Sequence, residues 1–391
     1  MSKKRTLDSF FKPLSQHNIA PSLVTGPAPP TTISTKKQRV NVSFDHLATR
    51  SHELPSTHPT YPFPIPLLPA SVLSALGPPS SAQTELAASN DNGKDTEPSH
   101  SLAISDPSSS ALTSSSATCP ASIGRPINDQ PYLDLVYYEP FLPRPAANAL
   151  FSFLRTSLPF YRVRYHIQRG GIDTQINTPR YTTVFGVDES SRFDALSGLV
   201  TERDSGRPVA RDRYGCRPRP LPDCLDRLRV AVERETGERF NFCLVNYYAS
   251  GEDSISYHSD DERFLGKDPA IASLSLGARR DFCMKRKPPP KDKVEGEDGK
   301  SGKAEKPLKL ALGSGDMVLM RGTTQANWLH SVPKRKGGES GRGRINITFR
   351  RAMVRGGTEN YYQYNVGDGP VYRWDEAKGE MRVWEPAKED S

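Results

Sequence analysis

Apolar positions recur along this chain with two different periods. Between Pro143 and Leu158, Leu150, Phe151, Leu154 and Leu158 return at helical spacing behind prolines near the start, which predicts a helix with one face turned to a sheet. Leu225, Leu228, Val230, Ala231 and Val232 predict a second helix over Cys224 to Glu235, stopped by Gly237. Between the two helices, the segments 161–168 and 172–178 flank Gly170-Gly171 and predict a hairpin. From Phe240 onward the pattern shortens to strands punctuated by Gly, Asp and Pro, which suits a closed or rolled antiparallel architecture. The last of these strands alternates strictly: Ile345, Ile347 and Phe349 interleave with Arg344, Asn346, Thr348 and Arg350. Its polar face must therefore look into something polar, and a polar interior in a small barrel implies a ligand.

Outside this block the composition changes. Residues 15–128 are rich in Pro, Ser, Thr and Ala, show no sustained period, and are expected to form a disordered arm. One folded domain is expected over 129–352, interrupted by a charged, Gly- and Pro-rich insertion at 287–308 that is too long for an ordinary loop. In the extension 353–391, the segments 371–374 and 381–384 alternate as a hairpin would. The formal net charge of +8 favours a polyanionic partner, and basic clusters at 285–287, 334–336 and Arg342 fall close to the candidate chemistry. Five cysteines without a CxxC pair argue against a disulfide framework or structural zinc, so a reducing compartment is expected. No apolar run is long enough to span a membrane, and a soluble, intracellular monomer is expected.

The candidate chemistry lies in four short words: Asn246-Tyr247-Tyr248, His258-Ser259-Asp260-Asp261-Glu262, a lone His330, and Arg344-Ile-Asn346-Ile-Thr348-Phe-Arg350. Only three of the eight histidines fall beyond residue 120, and two of them, His258 and His330, sit in these words. If the segment is extended, His258 and Asp260 point to one face, and a histidine from another strand would complete a 2-His-1-carboxylate site of the kind that holds non-haem Fe(II). An isolated His-x-Asp arises often by chance, and a lone histidine is more often a core residue. The two arginines strengthen the case: Arg344 and Arg350 share a face, and their forked guanidiniums suit a dicarboxylic acid such as 2-oxoglutarate.

Taken together, the words Asn246-Tyr-Tyr248, His258-Ser-Asp260-Asp261-Glu262, Gly315-Asp316, Trp328-Leu-His330 and Arg344-Ile-Asn346-Ile-Thr-Phe-Arg350 resemble the AlkB-type Fe(II)/2-oxoglutarate dioxygenases. The resemblance runs from about Asp134 to Arg351. Flanking words at 235–242 and 278–282 make it most similar to the members that repair alkylated double-stranded DNA in the nucleus. It implies a mostly β fold, a double-stranded β-helix jelly roll with flanking helices. It also implies Fe(II) on His258, Asp260 and His330, and O2 as co-substrate. 2-Oxoglutarate would be held by Asn246, Tyr248, Arg344, Asn346 and Arg350, with Arg344 at its far carboxylate and Arg350 at the near one. The implied reaction removes N-alkyl groups such as those of 1-methyladenine and 3-methylcytosine, releasing formaldehyde, succinate and CO2. RNA or single strands as substrate, and an inactive adaptor, are the alternatives.

For the substrate, the resemblance implies contacts from Arg180, from Asp261 to an exocyclic amine, and from an aromatic that stacks on a flipped base, for which Tyr214 is the candidate. Glu262 is equally suited to pairing with an arginine such as Arg263, and Trp328 is expected in the core. Tyr165 or Ile172 on the hairpin could wedge into a base stack. At the other end of the chain, Leu7, Phe10 and Phe11 have the spacing of three anchors on one helical turn. They resemble the motif that docks on the replication sliding clamp (PCNA), with Lys4 in place of its glutamine.

Overall fold

The computed structural model describes residues 54–77, 123–169, 172–210, 214, 217–288, 307–353 and 369–386. Its helices are α1 (Ala70–Leu76), α2 (Arg144–Ser157), α3 (Asp223–Thr236) and the single turn α4 (Thr324–Asn327). Before α3 come the strands β1 (Arg125–Ile127), β2 (Leu135–Tyr138), β3 (Arg164–Arg169), β4 (Ile172–Asn177), β5 (Tyr181–Gly186), β6 (Ser191–Phe193) and β7 (Val200–Glu202). After it come β8 (Phe242–Tyr248), β9 (Ile255–His258), β10 (Ile271–Gly277), β11 (Arg280–Arg286), β12 (Leu308–Leu312), β13 (Met317–Met320), β14 (Trp328–Val332) and β15 (Arg344–Arg350). The last two are β16 (Tyr372–Asp375) and β17 (Glu380–Val383).

Two antiparallel sheets face each other. The larger runs β1-β2-β13-β10-β15-β8-β5 and the smaller β12-β11-β14-β9, and the chain crosses between them repeatedly. This is the double-stranded β-helix jelly roll expected from the sequence, with α1, α2 and α3 against the outer face of the larger sheet.

The three central strands are buried on both faces, and alternation sorts their side chains. Cys243, Val245 and Tyr247 of β8, Ala272, Leu274 and Leu276 of β10, and Ile345, Ile347 and Phe349 of β15 join Leu150 and Leu154 of α2 and Leu225, Leu228 and Val232 of α3 in one core. The opposite parity holds Leu244, Asn246 and Tyr248, Ser273 and Ser275, and Arg344, Asn346, Thr348 and Arg350, which face the smaller sheet. Both long helices begin behind prolines. Helix α3 carries Asp223 and Asp226 in its first turn and ends on Gly237 in the left-handed conformation (φ 73°), whose N–H donates to the Glu233 carbonyl.

Two boundaries differ from expectation. The segment 54–77, expected inside the disordered arm, packs into the helix-side core: Ile65, Leu68, Val72 and Leu76 are buried, and the Tyr61 hydroxyl donates to the Pro220 carbonyl at 2.6 Å. The average composition of the arm hides this short stripe, although Val72 and Leu76 stand four residues apart as one helix face requires. At the other end, the expected hairpin forms as β16–β17 and continues the domain. Tyr372 exchanges backbone hydrogen bonds with Phe160 at 3.0 and 2.7 Å, while Trp374 and Met381 pack on the same core. Most of the 287–308 insertion, namely 289–306, lies outside the described residues, as do 1–53.

Because α1 packs into this core, Leu76→Ala should destabilise the protein by about 2–5 kcal/mol, as large-to-small changes in a packed core do. Urea denaturation checks this, and an unchanged midpoint would mean that α1 contributes nothing.

Candidate metal centre and cavity

His258 is the last residue of β9 and lies directly opposite His330 of β14, with the ring centroids 4.2 Å apart. Strict alternation does not produce this arrangement. Between the pairs His330–His258 and Val332–Ile255, two steps on β14 face three on β9, which is a β-bulge on β9. The bulge turns both Ile255 and His258 into the cavity between the sheets. It also supplies a carbonyl: His258 Nδ1 lies 2.8 Å from Ser256 O, and since a carbonyl only accepts, Nδ1 carries the proton. Nε2 is left as a free lone pair, the tautomer that a metal needs.

Asp260 follows two residues later. Its Oδ1 accepts from Arg350 Nη2 at 3.0 Å, while Oδ2 is buried without a hydrogen-bond partner and lies 3.6 Å from His330 Nε2. His258, Asp260 and His330 each offer one ligand atom, all within 4.8 Å of one another. Phe282 stacks on the His330 ring at 5.3 Å between centroids.

The electrostatics hold the three groups in their ligating forms. Burial lowers the pKa of His258, and burial together with the neighbouring His258 lowers that of His330 to about 3, so both imidazoles are neutral at neutral pH. Burial alone would raise the Asp260 carboxyl, but the Arg350 guanidinium outweighs it and holds Asp260 below the ordinary value.

Beside this triad the inner face of the larger sheet carries donors. Asn246, Tyr248, Asn346 and Arg350 line the cavity. Asn246 Oδ1 accepts from Arg180 Nε and Thr182 Oγ1, both at 3.1 Å, which leaves its NH2 as the end able to donate. Asn346 is held by Ser273 Oγ at 2.9 Å. Arg344 sits behind the cavity lining, its guanidinium 5.4 Å from the Tyr248 ring centroid and Nη2 donating to Ser275 Oγ at 2.8 Å. Its Nε and Nη1 are buried without partners, as is Arg350 Nε, and burial lowers the Arg344 pKa to about 10. Unpartnered guanidinium nitrogens on the face that also carries a carboxylate–imidazole triad fit an anion that bridges the two. Next to Arg344, β10 ends on Gly277 (φ 85°), where a Cβ would press on Phe151 and the Gly343 carbonyl at 2.7 Å.

The substrate candidates scatter. Arg180 lines the cavity. Asp261 lies at the surface, its Oδ2 2.6 Å from Lys287 Nζ. Tyr214 is buried in the core between the sheets, its hydroxyl donating to Ser191 Oγ at 2.9 Å, and it is not among the residues that line the cavity. A ring committed to that core is not presented for stacking. The side chains of Tyr165 and Ile172 lie outside the described residues, as do Leu7, Phe10 and Phe11. Trp328 is a core residue, as expected, with its Nε1 donating to the Pro131 carbonyl.

Glu262 is the residue that sequence reasoning undervalued. It lines the cavity, Oε2 has no hydrogen-bond partner, and burial followed by the charge of Asp260 raises its pKa to about 8. Glu262 stands in the same short word as His258 and Asp260, but beyond the end of β9 no strand alternation tells which side it faces.

The sequence model of the 2OG-Fe(II) oxygenase superfamily matches residues 134–350, more than half of the chain. Among curated proteins, DNA oxidative demethylase ALKBH2 of Arabidopsis thaliana is 34% identical over 229 residues, covering 56% of this chain and 67% of that protein. This chain belongs to the 2OG-Fe(II) oxygenase superfamily, in its AlkB branch. Alpha-ketoglutarate-dependent dioxygenase alkB homolog 3 of Rattus norvegicus is 43% identical over 145 residues, covering 37% of this chain and 46% of that one. Human ALKBH2 is 38% identical over 156 residues, covering 40% and 56%. The match thus spans about half the length of these two mammalian relatives. As an AlkB-family dioxygenase the protein uses Fe(II), 2-oxoglutarate and O2, and the buried ligand triad with its unpartnered cations fits that cofactor set.

The lowered histidine pKa values have a consequence for the metal-free protein. A neutral His330, at about 3 when folded against 6.5 as the ordinary value, contributes its full stability above about pH 6.5 and loses it as the pH falls toward 3. The Tm in chelating buffer should therefore decline across that window, and His330→Gln should flatten the decline. Parallel curves for the two proteins would contradict it.

Proposed function

We propose that this dioxygenase is an oxidative demethylase of alkylated DNA, removing N-methyl groups of the 1-methyladenine and 3-methylcytosine type by direct reversal. The observation that carries the reading is a single cavity whose lining includes His258, Asp260 and His330, then Asn246, Tyr248, Asn346 and Arg350, and also Arg180 and Glu262. His258, Asp260 and His330 are assigned to Fe(II). Asn246, Tyr248, Arg344, Asn346 and Arg350 are assigned to 2-oxoglutarate, with Arg344 at the far carboxylate. Relatives named DNA oxidative demethylases support DNA as the substrate, and with it a nuclear location. A net charge of +8 is consistent with a polyanion.

Bound Fe(II) supplies the oxidising chemistry of the class, coupling decarboxylation of 2-oxoglutarate to hydroxylation of the methyl group, which then leaves as formaldehyde. The protein's part is placement. Arg350 neutralises Asp260 and keeps its carboxylate fixed by one oxygen, so that the other lies toward His330. Arg344 offers a buried positive charge to a carboxylate several residues along the same face. Arg180, through Asn246, links the substrate side of the cavity to the co-substrate side. No side chain needs to act as a strong acid or base on the methyl group, and Glu262 is assigned to recognition of the damaged base; Asp261, expected in that role from the sequence, pairs with Lys287 at the surface instead. Tyr214 is no longer the candidate for base stacking.

The two arginines can be told apart. Arg344→Ala should raise the KM for 2-oxoglutarate about ten- to a hundredfold, the worth of a charge-assisted hydrogen bond, and leave Mn(II) affinity unchanged. Arg350→Ala should raise the KM and also weaken Mn(II) binding, because Asp260 loses its partner. Identical behaviour of the two variants would remove the division of labour.

The function itself is tested with one methylated oligonucleotide, supplied as duplex and as single strand with Fe(II) and 2-oxoglutarate. Loss of the methyl group by mass, with equimolar succinate and formaldehyde, is the expected result. Activity on RNA alone would move the enzyme to RNA, and succinate without demethylation of any strand would end the demethylase reading. The terminal motif Leu7, Phe10 and Phe11 is proposed to dock on the sliding clamp; a peptide of residues 1–20 should bind it in calorimetry, and Phe10→Ala/Phe11→Ala should not.

A further inference from the structure

Asp260 lies where the sheet stops holding the chain. β9 ends at His258, its last rung to β14, so the backbone that carries the carboxylate ligand has no ladder partner of its own. Its N–H is nevertheless buried, and a buried N–H without an acceptor is costly. The acceptor is a side chain: Gln325 Oε1 takes the Asp260 N–H at 2.9 Å. Gln325 is itself 1% exposed, and the other end of its amide is used by Met320 Sδ at 3.2 Å.

The turn that carries Gln325 is anchored independently. Thr324 Oγ1 accepts from the Asp134 N–H at 2.9 Å and donates to the Asp134 carbonyl at 3.2 Å, which fixes α4 to the start of β2. On the outer side Lys287 Nζ donates at once to Asp261 Oδ2, at 2.6 Å, and to the Gln325 carbonyl, at 2.8 Å, while the Lys287 N–H donates to the Asn327 carbonyl at 2.7 Å. Residues 260 and 261 are thereby tied to α4 from the inside and from the outside. α4 runs directly into β14, which carries His330. One four-residue turn therefore sets the position of Asp260 relative to His330.

We propose that Gln325 is a positioning residue for the metal ligand Asp260, with Lys287 as the outer lock that holds the bracket closed. This rests on the assignment of His258, Asp260 and His330 to the metal. Replacing Gln325 removes no ligand and no charge, yet it frees the Asp260 backbone and lets the carboxylate drift from the two imidazoles. Groups that orient metal ligands from behind typically contribute ten- to a hundredfold to metal affinity.

The test uses the full chain and Mn(II) as the probe, with binding followed by electron paramagnetic resonance and Asp260 amide exchange followed in the metal-free protein. The parent should bind one Mn(II) and Asp260→Ala none; failure there would overturn the metal assignment itself. Given that binding, Gln325→Met, similar in length but without the acceptor, should weaken Mn(II) binding about ten- to a hundredfold and speed exchange at the Asp260 amide. Its apparent KM for iron should rise, with kcat at saturating iron close to that of the parent. Mn(II) affinity within twofold of the parent would overturn the proposal. Should Gln325→Met fail to fold, Lys287→Met decides: it leaves the core untouched, weaker Mn(II) binding supports the bracket, and unchanged binding overturns it.

Discussion

The constraint on which this structure depends is that β8, β10 and β15 are buried on both faces. A strand in that position has no solvent to accept its polar side chains, so every polar residue on the inner face must be satisfied by a neighbour or by a ligand. The neighbours go only part of the way. Asn346 is met by Ser273 and Thr348 by the Leu244 carbonyl, but Arg344, Arg350 and Asp260 each keep buried atoms with nothing to bond. The leftover set is two cationic groups and one anionic oxygen beside two neutral imidazoles. It fits a metal and a dicarboxylate together.

The Asp260–Arg350 pair joins these two halves. An isolated carboxylate at this depth would take up a proton, and an isolated guanidinium would be costly to bury. Paired, they keep Asp260 ionised with one oxygen occupied and one free. The helix-side core complements the pair from behind, because the alternate residues of the same three strands, together with α1, α2 and α3, hold the sheet that presents these groups.

Glu262 shows how position changes the meaning of a residue. In an exposed loop it would be one more carboxylate available to a surface arginine. Inside the cavity, with the Asp260 charge close by, its pKa is raised to about 8 and it can offer a proton as a hydrogen-bond donor. Asp261, one residue earlier, is turned outward to Lys287.

The sequence by itself determined the features that period and parity set. α2, α3, the hairpin of β3 and β4, the hairpin of β16 and β17 and the two faces of β15 could all be read from spacing, because helices repeat near 3.6 and strands at 2. The candidate ligand residues, which the fold brings together, were legible as rare residue types in short words. The features that only the tertiary structure decided lie where neither period operates. The bulge that aims His258 breaks alternation. The burial of Tyr214 depends on distant strands, and the docking of residues 54–77 against the helix-side core is invisible in a composition average. Gln325 lies 65 residues from Asp260 along the chain and carries no motif. Its contact exists because the fold brings a four-residue turn against the end of β9, and local sequence patterns hold no information about such long-range contacts.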